Sequence, residues 1–145
     1  GLSFAQQYLE EVVFVTRPDH PILDAPSLDR LDEFAVIFPP PWAAIRPFVE
    51  RLLIAQGLPI PARRIETVSG AFGRVHTARS DAVWVISAGV VANEVADGRL
   101  VRLPFSTLGT EGPVGLMRRA TDRETPEMRL LARAAEAAVT RLGLS

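Results

Sequence analysis

The sequence predicts an α/β protein with a mainly parallel sheet flanked by helices. Apolar segments rich in β-branched residues alternate along the chain with amphipathic segments of helical period. Proline-rich or small-residue corners join these segments, and a well-capped helix closes the chain. Strands that alternate with helices favour parallel pairing, because each return of the chain passes through a helix on the face of the sheet.

The composition limits the classes of function. The chain has 145 residues, enough for one domain or two small lobes, and no cysteine, which excludes disulfides, thiol catalysis and cysteine-ligated metals. Its 16 basic and 17 acidic residues give a net charge of −1, whereas a free-standing nucleic-acid-binding domain is usually basic. No apolar run approaches the roughly 18–20 residues of a membrane span. Because the chain begins at Gly1 without a methionine, we expect it to be a piece of a longer protein.

The predicted strands are short apolar runs bounded by turn residues. They lie at residues 11–17, 34–38, 64–68, 82–87, 100–105 and 112–119. The second strand runs into "PPPW" and must end there, because proline has no N–H to donate to a sheet. A proline-rich turn follows the first strand, and Ser27 is expected to cap a short helix over residues 28–33.

Two predicted helices lie in the middle of the chain. Over residues 43–56 apolar side chains recur at helical spacing, and Gly57 is a natural stop. Pro47 must lie in the first turn of this helix, where its missing N–H costs least. Ser69 is a good N-cap for a helix over residues 70–79.

Two further helices are predicted towards the C-terminus. Gly98 ends a short helix over residues 89–97. Thr125 caps the last helix, and Pro126 occupies its first position. We expect the apolar stripe of this helix to pack on the sheet that contains the first predicted strand. The stripe consists of Leu130, Leu131, Ala134, Ala135, Ala138, Val139 and Leu142.

Three corners between a strand and a helix are candidate ligand sites. They are "FPPPWAA", "VSGAF" and the small-residue turn that begins at Ser87. Helix N-termini present unpaired N–H groups and positive dipole ends, and ligands of open α/β sheets bind outside the carboxyl ends of strands. Ser69 and Ser87 each add a hydroxyl, although an ordinary capping role explains each of them better when taken singly. The prediction of a site therefore depends on the three corners lying at one edge of the sheet.

The sequence offers little to catalysis. His20 and His76 stand far apart without a second ligand at metal-binding spacing, and no G-x-S-x-G, P-loop or G-x-G-x-x-G motif is present. Trp84 is expected in the core, and Trp42 is either a wall or lid of a pocket or a product of local packing. Because no nucleophile or base has a partner to tune it, sensing is favoured over reaction.

Four segments occur in the order typical of one family. They are "VVFVTRPDHPIL", "FAVIFPPPWAAIRPFVERLLIAQG", "IETVSGAFGRVHTARSDAVWVISAGVVANEVADGRLVRLPF" and "GPVGLMRRATDRETPEMRLLARAAEAA". With them, nearly the whole chain resembles the effector-binding domain of LysR-type transcriptional regulators. Within that family, "ETVSGAFGR" and "GPVGL" are most similar to the branch of the pca operon regulator and the galactose-binding-protein regulator.

The resemblance implies a type 2 periplasmic-binding-protein-like fold, in which two Rossmann-like lobes, joined by two crossing strands, hold an effector between them. Residues 1–18 and 98–145 would belong to lobe I, and residues 19–97 would form lobe II. Lobe I is expected to be incomplete, because its first strands and helices, like the N-terminal helix-turn-helix, have no counterpart in the chain. The positions of lobe II that correspond to effector contacts are Pro40, Pro41, Trp42, Ala43, Ser69, Ser87 and Ala88.

The function implied by the resemblance is the sensing of a small molecule, with a carboxylate or an aromatic catabolite as the expected effector. The chain would be a non-enzymatic regulatory domain of a cytoplasmic bacterial regulator, with no cofactor, metal or membrane contact. We expect it to dimerise within a tetrameric parent that binds DNA only through the missing helix-turn-helix. Two alternatives stay open: a solute-binding protein of the same fold that serves transport, and a small α/β enzyme that uses Ser69 or Ser87.

Overall fold

A computed structural model describes residues 1–145, and the chain divides into two units. The smaller unit comprises Gly1–Glu10 and Gly112–Ser145, and the larger unit comprises Glu11–Glu111. The assignment of residues 1–18 and 98–145 to lobe I, and of residues 19–97 to lobe II, stays a prediction.

Seven strands and four α-helices follow one another along the chain. In order they are β1 (Leu2–Glu10), β2 (Val12–Thr16), β3 (Val36–Phe38), α1 (Arg46–Ala55), β4 (Arg64–Glu66), α2 (Gly70–Arg79), β5 (Val83–Ser87), α3 (Ala92–Ala96), β6 (Val101–Arg102), β7 (Gly112–Arg119) and α4 (Pro126–Arg141). Three short 3-10 helices lie between them, at Pro21–Asp24, Leu28–Glu33 and Ala88–Val91. The six predicted strands correspond to β2–β7, and β1 was not predicted.

The larger unit contains a five-stranded sheet in the order β4-β3-β5-β2-β6. Strand β3 runs parallel to β4 and β5, whereas β2 runs antiparallel to β5 and β6. Four of the five strands therefore run in the same direction, so the expectation of a mainly parallel sheet is confirmed except for β2, which runs against the others. The reason lies in the connections: α1 and α2 link β3, β4 and β5, but only 3-10 helices link β2 to β3.

Strand β2 lies inside this sheet with all five of its residues buried. Its alternating side chains serve two cores, one on each face of the sheet. Val12 and Phe14 belong to the core that includes side chains of α1, and Val13 and Val15 belong to the core around Trp84. The near-continuous apolar sequence of β2 follows from this burial on both faces.

Helix α2 approaches the sheet closely at Gly73. A side chain at this position would collide with the ring of Trp84, which is fully buried in the sheet. The predicted core position of Trp84 is confirmed. The predicted cap is confirmed as well, because the Ser69 hydroxyl accepts a hydrogen bond of 3.1 Å from the N–H of Phe72.

Helix α1 begins at Arg46, later than its apolar spacing predicts. The preceding residues form turns, in which the Ala43 N–H donates to the Pro40 carbonyl over 2.9 Å. Pro47 lies in the first turn, as predicted. The chain that leaves β3 therefore makes a wider corner before the helix than the sequence indicates.

The smaller unit pairs β1 with β7 in an antiparallel two-stranded sheet, with an irregularity between Gln6 and Tyr8. Helix α4 contacts β1 and starts as predicted, with the Thr125 hydroxyl capping the N–H of Met128.

The prediction for the face of α4 is wrong. Leu130 and Leu131 are 65% and 64% exposed, and the helix packs on the β1–β7 pair instead of on the sheet that contains β2. Its half-buried residues are Ala132, Ala135, Ala138 and Val139. Two strands cover only a narrow strip of a helix, so the leucines of the stripe stay exposed.

None of the four helices combines the length and the apolar character that crossing a membrane requires.

Candidate ligand-binding site

The three predicted corners lie at one edge of the five-stranded sheet. Strands β3, β4 and β5 are parallel, so their carboxyl ends point the same way. The proline corner follows β3, residues 67–69 follow β4, and Ser87 ends β5. Helices α1 and α2 begin next to this edge, with their positive dipole ends towards it.

A pocket of about 180 Å³ opens at this edge and draws its lining from all three strand ends. Its lining residues are Pro39, Ala43, Ala44, Ile45, Thr67, Val68, Val85, Ile86 and Ser87. Of the predicted site residues, Ala43 and Ser87 are among them. The structure therefore brings the first and third corners into one pocket, and the second corner contributes Thr67 and Val68 to it.

The remaining predicted residues are neighbours in sequence of lining residues but do not line the pocket. Pro40 is buried beneath the corner, whereas Pro41 and Ser69 are exposed and Ala88 is half-buried. Trp42 is 74% exposed, so its indole is not part of the local packing. Whether these residues contact an effector stays a prediction.

Several backbone donors expected to hold an anion are already occupied. The Ser69 N–H donates to the Thr67 hydroxyl over 3.0 Å, and the Ala88 N–H donates to the Glu11 carbonyl over 2.9 Å. The Ala43 N–H is likewise used within its turn. The hydroxyl of Ser87, by contrast, makes no capping hydrogen bond to the 3-10 helix that follows it. Side-chain hydroxyls are therefore better placed than these amides to meet a ligand.

Thr67 is a lining residue that the sequence analysis missed. It directly follows β4, is half-buried, and its hydroxyl oxygen accepts the Ser69 N–H. A signal was present in the sequence, because a threonine between a strand and a helix cap is placed like the serines that were chosen.

Arg46 is the second residue that the sequence analysis missed. Only 6% exposed, it donates from Nη1 to the Pro39 carbonyl over 2.8 Å and to Glu66 Oε1 over 3.0 Å. Its Nε donates to Glu50 Oε1 over 2.6 Å, and the guanidinium lies over the Phe38 ring. Arg46 thus ties together α1 and the ends of β3 and β4, which form two walls of the pocket.

The charges around Arg46 stabilise one another. Burial opposes the charge of Arg46, but hydrogen bonds to Glu50 and Glu66 outweigh it and raise the pKa of the guanidinium. Hydrogen bonds from Arg64 and then from Arg46 lower the pKa of Glu66. This ion cluster therefore stays charged at neutral pH and holds the corner in place without entering the pocket.

A second ion pair holds the turn after β5. Arg74 Nε donates to Glu94 Oε1 over 2.8 Å, and Arg74 Nη2 donates to the Val90 carbonyl over 2.7 Å. A hydrogen bond from its own backbone N–H and the contact with Arg74 lower the pKa of Glu94. The turn that carries Ser87 is thereby anchored to α2.

The lining of the pocket is apolar apart from the hydroxyls of Thr67 and Ser87. No acid, base or thiol lines it, and no group of three or more His, Cys, Asp or Glu side chains could hold a metal ion. The histidines serve packing elsewhere: His20 Nε2 bonds the Asp81 carbonyl over 2.8 Å, and His76 stacks on Phe72. Fold and pocket together define an α/β domain with a small pocket at the carboxyl edge of β3, β4 and β5.

Comparison with known proteins identifies the family. The model of the LysR substrate binding domain matches residues 1–140, and the chain belongs to this family. It is 49% identical over 137 residues to the HTH-type transcriptional regulator PcaQ of Agrobacterium fabrum (strain C58 / ATCC 33970), covering 92% of this chain and 44% of PcaQ. It is 34% identical over 120 residues to the uncharacterized HTH-type transcriptional regulator YdcI of Escherichia coli (strain K12), covering 82% of this chain and 39% of YdcI.

Solved structures confirm the predicted type 2 periplasmic-binding-protein-like fold. The Synechocystis PCC6803 CcmR regulatory domain in complex with 2-PG matches with a TM-score of 0.74 at 17% identity, over 94% of this chain and 66% of that one. The effector binding domain of QuiR in complex with shikimate matches with a TM-score of 0.71 at 13% identity, over 97% of this chain and 66% of that one.

The membership settles the class of function. The chain is a ligand-sensing regulatory domain and not an enzyme, as the resemblance implied. Its relatives are transcriptional regulators, so the transport alternative loses its support. The chain spans less than half the length of either relative.

Proposed function

We propose that the chain senses a small effector for a bacterial LysR-type regulator and binds it at the carboxyl edge of β3, β4 and β5. The effector is a carboxylate or an aromatic catabolite. The residues proposed to surround it are Pro40, Pro41, Trp42, Ala43, Ser69, Ser87 and Ala88. In this proposal Ser69 acts by capping α2 at the edge, and the exposed Trp42 indole covers the bound molecule.

The pocket lined from three strand ends is the observation that carries this proposal. Its apolar walls suit a hydrocarbon body, and its hydroxyls suit an oxygen acceptor. The adjacent N-termini of α1 and α2 favour a negative charge over a positive one. The shikimate in the QuiR domain, a ring that bears a carboxylate, supports a ligand of this chemistry by analogy.

In the whole protein, we assign DNA binding to a helix-turn-helix outside this chain, in line with the names of its relatives. An effector that prefers one arrangement of the regulatory domain shifts the population towards that arrangement. We propose that the domain pairs with a second copy within a tetramer and that the regulator acts in the cytoplasm.

Amide chemical shifts of the isotope-labelled chain test the site. Benzoate and cis,cis-muconate serve as carboxylate probes, and galactose serves as an uncharged one. We expect a carboxylate probe to shift the amides of Ala43, Thr67 and Ser87 together. Shifts confined to surfaces remote from these residues would contradict the proposed site.

A further inference from the structure

We infer that Thr67 is a further specificity-determining residue of this site: its hydroxyl, together with that of Ser87, donates to a carboxylate oxygen of the effector. The inference rests on the proposed function and adds to it the side chains that recognise the ligand.

The backbone and the side chain of Thr67 are both held in place. Its N–H donates to the Phe38 carbonyl over 3.2 Å, which ties the residue to the end of β3. Its hydroxyl oxygen accepts the Ser69 N–H over 3.0 Å, which fixes the position of the side chain. A hydroxyl carries one hydrogen in addition to its lone pairs. The Ser69 N–H occupies one lone pair of the Thr67 hydroxyl oxygen. Towards a carboxylate oxygen, which can only accept, the hydroxyl hydrogen is the group of Thr67 that can bond.

Ser87 supplies the second donor from the opposite wall. It is the last residue of β5, is half-buried, and its register with Val12 in β2 fixes its backbone. Its hydroxyl is not engaged in capping the following 3-10 helix. Thr67 and Ser87 are the only two hydroxyl-bearing residues among the nine that line the pocket.

The rest of the lining selects the kind of ligand. It consists of Pro39, Ala43, Ala44, Ile45, Val68, Val85 and Ile86. None of these residues carries a carboxylate, which would repel an anion. Hydrogen bonds from hydroxyls to a charged oxygen are stronger than those to a neutral one. A polyhydroxylated sugar would leave hydroxyls unpaired against these apolar walls, which is costly. The lining therefore fits an apolar body that ends in a carboxylate.

The test compares two substitutions of Thr67 in the full 145-residue chain, with benzoate and cis,cis-muconate as probes. Thr67→Ser keeps the hydroxyl, whereas Thr67→Val keeps the shape and removes it. Thr77→Val is the matched control, since the Thr77 hydroxyl is buried in α2 without a partner and outside the pocket lining. We expect Thr67→Val to bind the carboxylates about tenfold more weakly. Thr67→Ser and Thr77→Val should stay within about twofold of the original chain.

The outcomes separate this inference from the proposed function. Equal carboxylate affinity of Thr67→Val and the original chain, with shifts still at the strand edge, overturns the role of Thr67 and leaves the proposed site standing. Equal losses in Thr67→Val and Thr67→Ser overturn it as well, because the hydroxyl would then not be the cause. If no probe shifts the amides of this edge in the original chain, the proposed site and the inference both fail.

Discussion

Arg46 is a buried charge next to the pocket, and its removal tests how the corner is held. Arg46→Met leaves the Pro39 carbonyl without its donor and separates Glu66 from one of its two arginines. We expect the free energy of unfolding of the larger unit to fall by about 2–4 kcal/mol, because a removed buried partner leaves polar groups unpaired. Urea unfolding followed by tryptophan fluorescence measures the change.

Arg51→Met is the control for Arg46→Met. Arg51 lies on the same helix, but it is exposed and contacts only the ring of Phe48 among the aromatic side chains. We expect this control to change stability by less than about 1 kcal/mol, the usual size of an exposed cation–π contact. If both variants unfold at the same urea concentration, Arg46 does not organise the corner.

At the scale of residues, the sequence identified the caps but not the supporting contacts. Ser69 and Thr125 were found because a capping hydroxyl acts on an N–H only a few residues away. The roles of Arg46 and Thr67 depend on partners brought close by the sheet, such as Glu66 and the Phe38 carbonyl. The order of residues along the sequence does not show which of them come close together in the folded chain.

At the scale of elements, one substitution made in two helices distinguishes a buried face from an open one. Leu53→Ala removes a side chain that is 1% exposed in α1, and we expect it to cost about 2–5 kcal/mol. Leu131→Ala in α4 removes one that is 64% exposed, and we expect a change within about 0.5 kcal/mol. Thermal unfolding of both variants provides the comparison.

The contrast between the two leucines explains why similar patterns had different outcomes. Both α1 and α4 show apolar residues at helical spacing, but α1 packs into a core with the five-stranded sheet, while α4 lies on two strands. A large loss of stability in Leu131→Ala would mean that this face of α4 is covered in solution.

At the scale of the whole molecule, the apolar surface of the smaller unit predicts self-association. A pocket of about 490 Å³ lies between the β1–β7 pair and α4, and its rim carries exposed apolar side chains. They include Phe4, Met117 and Leu131, and Leu130 is exposed next to Leu131 on the same helix. Contiguous exposed apolar surface drives association, so we expect a dimer or larger species in sedimentation or X-ray scattering.

A double substitution, Leu130→Glu with Leu131→Glu, tests which surface is responsible. Both side chains are exposed, so the change should leave the fold intact and shift the equilibrium towards monomer. Glu136→Ala, on the same helix, controls for altered charge and helix propensity. A monodisperse monomer of the original chain at high concentration would refute the prediction.

The sequence by itself determined much of the local structure of this protein: the approximate positions of β2–β7 and of the helices, the hydroxyls that cap α2 and α4, and the corners that follow β3, β4 and β5. These features depend on dihedral preferences, on the period of the hydrophobic residues and on hydrogen bonds between near neighbours. All three involve residues that are close together in the sequence. Its ordered motifs also indicated the family.

Only the tertiary structure decided how those elements are used. It made β2 run against the other strands of its sheet, exposed the leucines of α4 and placed Thr67 instead of Ser69 in the pocket lining. Strand direction, helix coverage and pocket lining are set by contacts between residues far apart in sequence, such as Arg46 with Glu66 and Val12 with Ser87. Such contacts form only when the whole chain folds. The local sequence pattern does not select them, because many different pairings are compatible with the same pattern.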